Sequence, residues 1–373
     1  MMKKSLIALA AATVAGAAFA QSSVSITGVV DIGYGQVDGS GGTTAATQQG
    51  ANRQDQQRVA QNGSATTSIA ISGSEDIGGG LRGIFRYEMN PDFVAGTGLT
   101  SAVTGGMHQA FLGLTGNFGE VRLGRLNSAF LQNWGIVSQF ATNLGSGFGG
   151  AGVLTRYTSG VPANSAPTRF GNAIEYQSPV FNGIQGRLMY VPEDNDAGDT
   201  LRPGVVDAGL RFAQGPISAM FSWQQTQASR AVAAAVSPIG VGGTDVESTL
   251  WMLGARYTMG ALVFSGGYWQ EQVEVAGVEG ADITGWSLGV RYTMGPWALI
   301  GMYTQSENDA AAPQLFNAAG GVAALETGAN RSVLGLGADY SFSKRTALYG
   351  RFEGRDMGPT EVQTIHVGIR HTF

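Results

Sequence analysis

Leu81–Asn90 reads LRGIFRYEMN, and its two faces are chemically opposed. Side chains alternate along a strand. Leu81, Phe85 and Tyr87 therefore share one side, and Arg82, Arg86 and Glu88 share the other. A face this charged cannot be a dry core, because unpaired buried charge is very costly. It belongs against water, and the apolar face must look out into lipid. That is the arrangement of a membrane barrel, the inverse of a soluble one.

The pattern extends in both directions. Asp76-Ile-Gly-Gly-Gly80 is a tight turn, and Thr67–Glu75 is the strand behind it. Ser23–Tyr34 (SVSITGVVDIGY) sets Val24, Ile26, Val30, Ile32 and Tyr34 against Ser25, Thr27, Asp31 and Gly33. After Leu81–Asn90 come Met107–Gly116 and Glu120–Asn127, then Arg169–Ser178 and Asn182–Val191. Hairpins follow at Gly204–Ala213 with Pro216–Gln227, Glu247–Thr258 with Ala261–Val273, and Ala281–Thr293 with Pro296–Glu307. Asn330–Phe342, Arg345–Gly354 and Glu361–Phe373 close the chain. Connections alternate between short turns and longer polar loops, as expected of periplasmic turns and outer loops. The even count of sixteen strands returns the last beside the first and removes both edges. The fold expected is therefore all-β, a 16-stranded antiparallel transmembrane barrel wide enough for an aqueous channel. Gly35–Thr66, rich in Gly, Thr, Gln and Asn, reads as a solvated outer loop.

Composition agrees. Charged residues are 13%, about half the usual share, and glycine is 58 of 373. Apart from the N-terminus no apolar run approaches a membrane helix. Met1–Ala20 has Lys3 and Lys4, an apolar run from Leu6 to Phe19 and the small-x-small Ala18-Phe19-Ala20. It reads as a secretory signal peptide at 1–20, leaving one barrel domain over 21–373. Losing Lys3 and Lys4 makes a chain of net charge −5 more acidic still. That argues against a nucleic-acid partner.

Ser128–Thr168 breaks the rhythm. It has no Asp or Glu, Arg156 is its only charge, and it shows neither a helical apolar period nor alternation. So long a loop between clear strands is functional. We expect it to fold into the barrel and set what passes.

Several stretches together are recognisable: SSVSITGVVDIGY at the start, GSEDIGGGLRGIFRYEM, GLTGNFGEVRLGR, RFGNAIEYQSPVFNG, YSFSKRTALYGRF and the terminal HVGIRHTF. The chain resembles the Gram-negative general-diffusion porins of the betaproteobacterial and neisserial type. The resemblance implies a homotrimer in the outer membrane and a third outer loop, here 128–168, folded inward as the constriction. It also implies that Phe373 is read by the barrel-assembly machinery. Arg82, Arg86 and Arg122 fall where that family places its basic wall. The loop departs from the family in lacking the usual acids.

The lumen face nominates the remaining pore-lining candidates: Arg187, Arg351, Asp31 and Glu88, with Arg156 on the loop. The plainer alternative is that these arginines pair with neighbours such as Glu88 and Glu353. Arg211, Arg256, Arg291 and Arg370, near the periplasmic ends, read as vestibule charges. An arginine wall facing an acid-free loop predicts a channel for small hydrophilic solutes that prefers anions. The rivals are a carboxylate- or phosphate-specific channel of the same fold and an adhesin or structural barrel. His108, His366 and His371 are too dispersed for a metal site. There is no cysteine, and no set of nucleophile, base and orienting group nominates an enzyme or a cofactor. Outward Ile69, Ile71, Gly28, Gly73 and Ala110 offer a flat surface for neighbouring barrels.

Overall fold

The computed structural model describes residues 23–40, 56–94, 107–148, 168–193, 204–228, 246–275, 278–309, 330–356 and 361–373. Seventeen strands are present among them. They are β1 (Ser23–Ser40), β2 (Gln56–Gln61), β3 (Ser68–Gly78), β4 (Leu81–Met89), β5 (Met107–Gly116), β6 (Gly119–Asn127), β7 (Arg169–Gln177), β8 (Ile184–Val191) and β9 (Gly204–Gln214). The rest are β10 (Ile217–Ala228), β11 (Val246–Met259), β12 (Leu262–Val275), β13 (Val278–Met294), β14 (Trp297–Asp309), β15 (Arg331–Ser341), β16 (Thr346–Asp356) and β17 (Glu361–Thr372).

Consecutive strands pair antiparallel except β2 with β3, which both pair with β1, and β1 pairs with β17 to close the ring. The barrel nevertheless has sixteen positions. β1 pairs with β3 through Ser23–Val29 and with β2 through Ile32–Val37, so β2 and β3 are two halves of one staggered strand. The tract Gly35–Thr66 is thus not wholly a loop. β1 runs on to Ser40, β2 answers it, and only the middle lies outside the described residues.

The exposed large side chains confirm which face meets lipid. Val24, Ile26, Leu81, Phe85, Tyr87, Leu112, Leu253, Leu288 and Ile365 all point outward. Aromatic rings cluster at two heights, as interfacial belts do. Trp251 packs on Tyr268 and Trp286 on Tyr303; near the short turns Trp297, Tyr340 and Phe342 stack in sequence. Along β13 and β14 the two belts are six residues apart (Trp286 to Tyr292, Trp297 to Tyr303). That is about 20 Å of strand.

The interior is not uniformly wet. A helix, α1 (Ala129–Val137), follows β6 and lies inside the barrel. Phe130, Trp134, Ile136, Val137 and Phe140 are buried against Met220, Leu250, Met252, Trp269, Ile300, Met302 and Val333, all from the inner face of β10–β15. Ser128–Thr168 was expected to lack helix, and its described part contains one. Ser128 caps it, its hydroxyl accepting from the Leu131 N–H at 3.1 Å. The helix shows no amphipathic period because most of its residues are buried and its open side carries only Leu131, Gln132 and Gly135.

Glycine makes room for it. A Cβ at Gly254 would fall 2.3 Å from a Val137 methyl, at Gly209 2.6 Å from the Ala129 Cβ, and at Gly337 2.8 Å from the Phe140 ring. The wall lacks side chains where the loop lies. Gly254→Val should therefore push α1 off its seat and cost about 1–3 kcal/mol, the usual penalty of overpacking. Thermal unfolding in detergent would show the loss, with far-UV circular dichroism of the barrel unchanged below the transition.

Candidate functional site

The loop is held electrostatically as well as by burial. At the N-terminus of α1 the Ala129 N–H donates to Asp207 Oδ1 at 2.7 Å. At its other end Arg256 donates to the carbonyls of Gly135 and Ser138, the latter at 3.1 Å, and Ser265 Oγ donates to the Val137 carbonyl at 2.6 Å. An acid at the amino end and a cation at the carboxyl end both complement the helix dipole. Between them Asn133 Nδ2 bonds the Phe221 carbonyl and Ser222 Oγ. Beyond the helix the Gly145 N–H reaches Glu353 Oε2 at 2.5 Å. Arg256, expected in the vestibule, is thus an anchor of the loop. Arg291 pairs with Asp339, and Arg370 donates to Ser64 Oγ.

With the loop seated on β9–β15, the charged wall left uncovered by α1 is β4–β8. Arg82 is exposed and bonds Ser74 Oγ. The Arg86 side chain is 32% exposed; it holds Glu88 Oε2 through Nε and Nη2 at 3.0 and 2.8 Å. Glu88 also meets His108 and Gln109. Arg122 pairs with Glu120 and Glu175 and lies 5.0 Å over the Phe111 ring. Arg187 is buried, on Glu175. Accessibility falls from Arg86 through Arg122 to Arg187.

Two sequence candidates sit elsewhere. Asp31 is fully buried, and its carboxylate is covered by the segment 62–67. Arg351 is also buried, paired with Asp339 and stacked over Phe140 and Tyr349. Glu353, its expected partner, bonds Arg355. Arg156 lies outside the described residues. The lumen-facing apolar set of β10–β15 was missed, although Leu250-Trp-Met-Leu253 and Trp297-Ala-Leu-Ile300 are unbroken apolar runs. Such runs signal burial on both faces. No group of metal-ligating side chains exists among the described residues.

The family model for the Gram-negative porin matches residues 5–355. The chain belongs to the Gram-negative porin family. It is 30% identical to "Outer membrane porin protein 32" of Delftia acidovorans over 71% of this chain and 68% of the relative. It is 29% identical to "Major outer membrane protein P.IB" of Neisseria lactamica over the whole of both chains. Among solved structures, "Anion-selective porin from Comamonas acidovorans" superposes with a TM-score of 0.72 over 95% of this chain and all of that one, at 22% identity. This porin is an outer-membrane barrel offering small hydrophilic solutes a passive path, narrowed from inside by its third outer loop. The leader expected over 1–20 lies outside the described residues.

If Asp207 and Arg256 hold the constriction, Asp207→Ala or Arg256→Met should free one end of α1. Each removes charge-assisted hydrogen bonds of about 1.5–3 kcal/mol. In planar bilayers each variant should give a larger and noisier single-channel conductance than the parent. Unchanged, quiet channels in both would place the restraint elsewhere.

Proposed function

We propose that this porin prefers anions and that the wall β4–β8 sets the preference. Those strands carry six arginines (Arg82, Arg86, Arg122, Arg125, Arg169 and Arg187) against three glutamates, Glu88, Glu120 and Glu175. Every glutamate is engaged by one or more arginines, so the ion pairs consume the acids and leave the wall positive. The single observation that carries the reading is what faces this wall: the described part of the loop, 128–148, has no charged residue. The basic face is therefore not unopposed in the sense first expected, since its own acids partly neutralise it. It remains positive in a narrow passage, where fixed charge is weakly screened. The like fold of the anion-selective porin from Comamonas acidovorans supports the reading.

The reversal potential of reconstituted protein in a salt gradient should lie on the anion side. Arg82→Gln combined with Arg86→Gln should move it several-fold in permeability ratio toward cations. A cation-selective parent channel would sink the proposal while leaving the porin fold intact. Linear conductance with solute concentration would distinguish a general pore from a carboxylate- or phosphate-specific one.

Homotrimer assembly rests on the outward face of β3–β5, where Ile69 and Ile71 stand beside Gly73, and the Phe85 ring lies against Gly73. A heat-sensitive trimer band in mild detergent is the expected result.

A further inference from the structure

Residues 62–67, between β2 and β3, leave the barrel wall and fold inward. Asn62 turns at a positive φ of 70°, and its Oδ1 accepts from the Thr67 N–H at 2.7 Å. The Thr67 hydroxyl accepts from the Asp31 N–H and donates to the Asp31 carbonyl, which also takes the Asn62 N–H at 3.2 Å. The Asp31 carboxylate then takes the Ser64 and Ala65 N–H groups at 2.8 and 2.6 Å, and the Tyr349 hydroxyl on its other oxygen. Ser64 Oγ accepts from Arg351 of β16 and Arg370 of β17, each at 2.9 Å. The turn therefore reaches from β1 across β17 to β16, over the lumenal face of the seam where the barrel closes. Its far side meets the third loop: Thr66 Oγ1 lies 3.3 Å from Asn143 Oδ1.

We propose that residues 62–67, the break within the second barrel strand, are a second constriction element keyed by Asp31. Through Thr66 it joins the third loop, so the two form one rim and confine solutes to the arginine wall of β4–β8. Asp31 is then a positioning residue for selectivity, acting through the turn and not by contact with the solute. The inference rests on the channel reading of the preceding section and adds to it where the opening is bounded.

The chain has no cysteine, so Ala65→Cys installs a sole thiol on the turn without removing the backbone donor to Asp31. Single channels of this variant, exposed to a small anionic methanethiosulfonate, should lose conductance in discrete steps and shift their reversal potential toward cations. Labelling confirmed by mass with conductance and selectivity unchanged would overturn the proposal. Gly63→Val tests it without a reagent. A Cβ there falls 2.1 Å from His366 Nδ1, so the turn must lift, and conductance should rise with a loss of anion preference. If the reagent fails to reach the thiol, this variant decides: unchanged conductance in a barrel that still folds rejects the second constriction. A parent protein that forms no channel would instead reject the channel reading itself.

Discussion

A water-filled barrel can hold a loop inside itself only if part of its wall gives up its affinity for water. Here that part is β10–β15. Met220, Leu250, Met252, Trp269, Ile300, Met302 and Val333 turn inward and are sealed by α1. Their burial is the hydrophobic effect working in reverse geometry: the apolar surface removed from water lies in the lumen, and the lipid face is apolar independently. Short runs there, Leu250–Leu253 and Trp297–Ile300, are apolar on both faces, as strands buried on both sides are, while Ser222, Gln224 and Glu271 keep other inward positions polar. The polar groups of α1 still need partners, and the wall supplies them at both ends.

Charge is sorted by this division. Where the loop sits, ionic groups serve as fasteners: Asp207 on the helix start, Arg256 on its end, Glu353 on Gly145. Where the wall stays wet, the same residue types keep partial hydration, and Arg86 remains a third exposed despite its pairing with Glu88. An ion pair does not cancel the field of a wall in which arginines outnumber acids. Such pairs fix the guanidinium groups in place, so that a permeating anion meets an ordered surface without an entropy cost for arranging it.

Most of the barrel was legible because its physics is local. Alternation of Phe85 and Tyr87 with Arg86 and Glu88 requires lipid on one side and water on the other, and the same contrast recurs to Phe373. Where the contrast between faces is weak, the signal fades: Gly35–Ser40 sets only Gly35, Val37 and Gly39 against Gln36, Asp38 and Ser40, and its strand character comes from pairing with β17 and β2. The helix was hidden for the opposite reason. AFLQNWGIV has no polar stripe because most of α1 is buried and its open side carries only Leu131, Gln132 and Gly135, and only the capping Ser128 marked its start. Arg256 and Asp31 were placed on the correct face but assigned to the water. Their partners, Gly135 and Ser64, are far off in sequence, and no local pattern announces a contact of that kind.

Closure of the ring explains why the break in the second barrel strand is suited to turn inward. β1 and β17 meet over Val29–Ser40, and Phe373 completes the ladder by exchanging N–H and carbonyl with Gly28 at 3.1 and 3.0 Å. This seam joins residues more than three hundred positions apart, so it must form late among the strand pairings, against a large loop-closure entropy. A turn that spans β1, β17 and β16 through Asp31, Arg370 and Arg351 ties both sides of the seam from within. It can do so only because β2 and β3 share one barrel position, which frees the six residues between them from the ladder. The stagger that makes the second strand look broken is thus the same feature that locks the barrel and narrows its opening.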